Sequence, residues 1–151
     1  MQQGTTNMKQ NVALAILALA ALPAMKAVAQ GSDATVPGDV IVQPPTLRAL
    51  GVEWPVQGDA NRNASVTVRY RLKGTEAWRD GLPLLRIGGE ETKYLALDFT
   101  PPPMFSGSVF GLEPGGTYEI ALKMTDPDGV SGTAERRLEA RTRPVPRPAT
   151  D

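Results

Sequence analysis

Arg71, Trp78, Arg79 and Arg86 lie close together in the chain and are the residue types that grip an acidic sugar. An indole offers a flat apolar face to a pyranose ring, and a guanidinium holds a uronate carboxylate through two parallel hydrogen bonds. Tyr94 and Phe110 are the further aromatics that could join such a surface. A plainer account competes with this one: Trp78 covers a sheet edge while the arginines form a solvated face.

The remaining chemically suggestive groups are weaker. Asp126-x-Asp128-Gly129 echoes the opening of an oxygen-ligand calcium loop, which continues to a bidentate Glu near its twelfth position. Ser131 could add an oxygen, but Glu135 comes too early and Arg136-Arg137 follow it, so a turn between two strands accounts for the motif better. Glu90-Glu91 is an adjacent carboxylate pair, yet neighbours on an extended chain point to opposite sides. A glycosidase needs two carboxyls converging on one bond, and a solvated turn after Gly88-Gly89 is the simpler reading. Asn63-Ala64-Ser65 matches a glycosylation sequon, a short pattern that chance alone produces. Gly88-Gly89 and Gly115-Gly116 fall at turns and not before a helix, so neither cradles phosphate.

Histidine and cysteine are both absent. Serine and cysteine nucleophiles activated by His are thereby excluded, and so are disulfides. The chain reads as a non-enzyme that needs no cofactor and holds no catalytic or metal-binding residues.

The elements that must position these groups are strands. Val40-Ile41-Val42 is a short first strand stopped by Pro44-Pro45. Leu50, Val52 and Trp54 alternate in a second that ends at Pro55, and Val66, Val68 and Tyr70 in a third with one wet face. Ala77-Trp78-Arg79 is expected as an edge strand, and Tyr94 to Phe99 as one strand closed by Pro101-Pro102-Pro103. Val109 and Leu112 point inward; Tyr118, Ile120, Leu122 and Met124 form one inner face, and Leu138 and Ala140 alternate with Glu139 and Arg141 on a last strand. Trp54, Val68, Ile120 and Leu122 are expected in the core.

Leu112-x-Pro114-Gly115-x-x-Tyr118 has the form of a tyrosine corner, in which a phenol reaches back to backbone just upstream and pins a crossover between sheets. Together with Leu50-x-Val52-x-Trp54 and Val66-x-Val68-x-Tyr70-Arg71, it resembles the fibronectin type III pattern, in the right order and over about Val40 to Arg143. The resemblance implies an all-β, immunoglobulin-like sandwich of about seven strands, with a role in adhesion, spacing or accessory binding. The segment from Gly81 to Pro103 is longer than that pattern expects.

Ahead of this unit, Lys9, the apolar run Val12 to Leu22, the breaker Pro23 and the small residues of Ala27-Val28-Ala29 read as a signal peptide over residues 1–29. The run is shorter than the roughly 20 residues a spanning helix wants. Of 16 basic and 16 acidic side chains, cleavage there removes Lys9 and Lys26 and no acid. The processed chain then carries 14 bases and 16 acids, a net charge of −2, which gives no field for nucleic acid. An exported bacterial chain follows, periplasmic, surface-bound or extracellular, without a membrane span once processed. Residues 30–39 read as a flexible leader, 40–143 as the domain and 144–151 as a Pro-rich linker. The expected function is that of a non-catalytic, monomeric interaction or spacer module with a protein or polysaccharide partner, leading a larger polysaccharide-acting or surface protein. The alternative is a carbohydrate-binding accessory module using Trp78 and its arginines.

Overall fold

Among the described residues, eleven strands follow one another: β1 (Val36–Pro37), β2 (Ile41–Val42), β3 (Leu50–Gln57), β4 (Ser65–Leu72), β5 (Arg79–Asp80), β6 (Leu85–Ile87), β7 (Thr92–Tyr94), β8 (Leu97–Phe99), β9 (Met104–Val109), β10 (Thr117–Thr125) and β11 (Glu135–Arg141). They come from a computed structural model that describes residues 32–90, 92–94 and 97–148. The run read as a signal peptide, Glu91, Leu95 and Ala96 lie outside the described residues. Among those described, all regular structure is strand, and no helix is long and apolar enough to cross a membrane.

Alternation decides which residues meet. In β3, Leu50, Val52, Trp54 and Val56 are buried while the residues between them are not. In β10, Tyr118, Ile120, Leu122 and Met124 are buried in the same rhythm. Period-two patterning of this kind gives a sheet one dry face. β3 and β9 centre a five-stranded antiparallel sheet in which β1 and β2 flank β3 and β6 flanks β9. The second sheet runs β11-β10-β4-β5, also antiparallel. Their dry faces close on one core, with Trp54, Phe105 and Leu50 from the first sheet against Val68, Ile120 and Leu122 from the second. The protein is an all-β sandwich, with the sheet order of immunoglobulin-type folds plus an added edge strand, β5.

The crossing from β9 to β10 is pinned by the Tyr118 hydroxyl, which accepts a 2.8 Å hydrogen bond from the Glu113 N–H. Thr142, fully buried, donates through its own hydroxyl to the Glu113 carbonyl at 2.7 Å. Trp54 is fully buried, and its indole N–H donates to the Gly38 carbonyl at 3.0 Å. Gly107 faces Leu84 so closely that an added Cβ would stand 2.9 Å from Leu84 Cδ2. A missing side chain in β9 is what seats the β5–β6 connection over the core.

Several local expectations change. The stretch read as a loose leader is tied in: Thr35 is fully buried, its N–H and hydroxyl both donate to Asp126, and β1 follows at once. β3 runs on through Pro55 to Gln57. In a strand the nitrogen and carbonyl of one residue face the same side, and the Pro55 carbonyl accepts from the Gly38 N–H. The missing proline donor therefore falls at the break between β1 and β2, where no ladder bond is lost. The edge strand sits later than Ala77-Trp78-Arg79, at Arg79–Asp80. The run Tyr94 to Phe99 is not one strand: Thr92–Tyr94 pairs antiparallel with Leu97–Phe99, so its backbone groups find partners within the segment. The strand count exceeds seven because the first strand is broken at Gly38 and the long Gly81 to Pro103 segment adds strands of its own.

Candidate binding face

The outer face of the four-stranded sheet is built by the residues that alternate with the core. On β4 these are Thr67, Arg69 and Arg71, on β10 Glu119, Ala121 and Lys123, and on β11 Glu135, Arg137 and Glu139. Ladder register sets them in rows: Arg69, Ala121 and Arg137 lie side by side, and Arg71, Glu119 and Glu139 form the next row. Ala121, small enough to leave a gap, sits between two guanidiniums.

Trp78 comes in from the connection between β4 and β5. That connection turns at Gly74, whose φ of +86° is the left-handed conformation glycine adopts without strain, and Thr75 donates to the Leu72 carbonyl at 2.7 Å through its hydroxyl. The indole ends half-buried over the charged rows. The guanidinium carbons of Arg71, Arg69 and Arg137 lie 4.7, 5.8 and 5.9 Å from the indole ring centroid, within the range of cation–π attraction. A shallow recess opens beside the ring, lined by Trp78, Glu119, Arg137, Leu138 and Glu139.

Ion pairs stiffen this surface. Arg71 Nε donates to Glu119, and that bond holds the Glu119 carboxyl below the ordinary carboxylate range. Lys73 bonds Glu139 at 2.7 Å, which raises the lysine above its usual value. Arg69 faces Asp80 at 3.4 Å. Arg137 has no carboxylate within ion-pair distance among the described residues. Glu119 and Glu139 are ladder neighbours, so a carboxylate pair does exist here. Each binds a cation, and Glu119 is held ionised, the opposite of the proton donor a glycosidase requires.

Of the four residues expected to share a ligand surface, the fold unites Trp78 and Arg71 and parts the other two. Arg79 follows Trp78 directly, so its side chain leaves the chain on the other side; it is in register with Tyr70 and lines a recess with Tyr70, Arg71, Leu72 and Thr75. Arg86 belongs to the other sheet, where its Nε bonds Asp59 at 2.5 Å. The Asp59 side chain is 0 % exposed and that of Arg86 13 % exposed, and Asp59 also accepts from the Ala64 N–H at 3.1 Å. This pair ties β6 to the loop after β3. Phe110 is exposed beside Gly81 and Leu82, away from Trp78, and the side chain of Tyr94 lies outside the described set.

Sequence reasoning missed Arg69 and Arg137. Alternation with Val68 and with Leu138 marks both as outward-facing, but only the β4-β10-β11 pairing brings residues so far apart in the chain to one indole.

The other motifs resolve into structure. Asp126 accepts from the N–H and hydroxyl of Thr35 and from the Asp128 N–H. Asp128 accepts from the side-chain amides of Asn61 and Asn63 at 2.7 and 2.8 Å, which lowers its pKa. These carboxylates join three loops, with donors of the chain itself in the places a calcium ion would take. Glu90 pairs with Arg62 and accepts from the Gly88 N–H, so it works as a loop clasp.

No family model matches the chain, and no curated protein matches it. Among solved structures it is similar to a computationally redesigned β-sandwich protein, at 16 % sequence identity and a TM-score of 0.43, over 74 % of this chain and 97 % of that one.

Proposed function

We propose that this chain is a non-catalytic interaction module of an exported bacterial protein, of fibronectin type III character, leading a larger polysaccharide-acting or surface protein. One observation carries the reading: the outer face of the four-stranded sheet holds a half-buried Trp78 amid three guanidiniums, outside the core. A residue that only filled the interior would lie with Trp54. The motif run from Leu50 through Tyr118, the corner bond to Glu113 and the sheet order support the family reading. The apolar run ahead of the sandwich supports export.

Fractionation of native cells, probed with antibody against the sandwich, tests this. A band in the periplasm, medium or envelope is expected, larger than the processed chain if further domains follow Arg143. A band confined to the cytosol overturns the reading.

A further inference from the structure

We infer that the Trp78 face binds an anionic polysaccharide whose pyranose rings carry carboxylates, with Trp78 and Arg137 as the principal contacts and Arg69 and Arg71 as support. This deepens the interaction-module reading and rests on it. Three features of the face select that partner.

The first is what surrounds the indole. Apart from Trp78, the outward positions of β4, β10 and β11 carry no aliphatic side chain larger than Ala121. A protein partner needs a buried apolar or aromatic cluster to anchor on, and one indole beside the small recess floored by Ile120 and Leu138, between charged rows, supplies little of that. A sugar ring needs one flat apolar surface bordered by hydrogen-bonding groups, which is what this face presents.

The second is charge. Arg71 and Arg69 are matched by Glu119 and Asp80, and Lys73 by Glu139. Arg137 has no carboxylate within ion-pair distance among the described residues, though its charge reaches Glu119, and it stands exposed 5.9 Å from the ring centroid. The sign of the vacancy is therefore negative, and a guanidinium meets a planar carboxylate with two parallel hydrogen bonds. The third is shape. The recess beside Trp78 is shallow and open along the sheet, bordered by Glu119, Leu138 and Glu139, so it admits a chain lying across it and not a deeply enclosed small molecule.

Affinity electrophoresis of the full chain in gels cast with polygalacturonate, with neutral hydroxyethylcellulose, or with no polymer tests the inference. Retardation is expected in polygalacturonate alone, weakening as salt is added. Trp78→Ala and Arg137→Ala should each lose about tenfold or more in apparent affinity, the first through the lost stacking surface and the second through a lost charge-assisted contact, with unchanged thermal midpoints. Arg79→Ala, in register with Tyr70 and not with the outward-facing arginines, should migrate as the parent does. Equal migration of all variants with and without polymer overturns the inference. So does retardation in the neutral polymer, which would mean a sugar site blind to charge, and so does displacement by polyglutamate as effective as by free oligogalacturonate, which would point to an acidic peptide. If export is found and binding is not, the inference fails while the module reading stands; a cytosolic chain fails both.

Discussion

Arg71 and Arg86 begin alike, as arginines on strands a short distance apart in the chain, and each ends hydrogen-bonded to a carboxylate. Arg86 meets Asp59 where the carboxylate is cut off from solvent entirely, whereas Arg71 meets Glu119 with both side chains still partly wet, 26 % and 33 % exposed. The contrast is one of desolvation. A buried pair has given up its water and depends on its partner and on the bonds from Ala64 and to the Ile87 carbonyl. A surface pair keeps water within reach, gains little from the pairing, and leaves its arginine near Trp78 for other partners. Two residues that look interchangeable in sequence are a structural clamp and part of a candidate binding surface.

The comparison can be broken most forcefully at the clamp. Arg86→Ala strands the Asp59 carboxylate and should destabilise by about 3–5 kcal/mol, read from chemical denaturation. A loss no larger than that of a surface variant would erase the distinction. Next in size is Tyr118→Phe, which removes the acceptor for the Glu113 N–H and should cost about 1 kcal/mol; an unchanged denaturation midpoint would mean the corner does not depend on that bond.

Arg71→Ala is expected to cost less than about 1 kcal/mol, as surface pairs do, while weakening polygalacturonate binding. The pH response sharpens the same point. Glu119, Glu90 and Asp128 sit below the ordinary carboxylate range through Arg71, Arg62 and the Asn61 and Asn63 amides respectively. Depressed carboxylates stabilise the fold above their unfolded pKa, and that contribution is lost as pH falls through the folded one. The thermal midpoint should thus hold near neutrality and drop below about pH 4, and Glu119→Gln should make the acid drop slightly shallower. An identical pH profile in that variant would show the Arg71 pair to be energetically silent.

The sequence by itself determined the sandwich. Alternation at Leu50, Val52 and Trp54, at Val66 and Val68, and at Tyr118, Ile120 and Leu122 allows only strands with one dry face, because a period of two cannot bury one side of a helix. It also marked the Pro114-Gly115 turn with Tyr118 behind it, since a tight turn and a single polar-tipped aromatic carry their own geometry. The candidate binding face was half legible: Trp78 and Arg71 stand out locally, but Arg69 and Arg137 join them only through strand pairing. Nothing in local sequence told Arg86 from Arg71. Asp59 decides that difference from across the fold, and burial, which sets the strength of every charge here, exists only once the two sheets have closed.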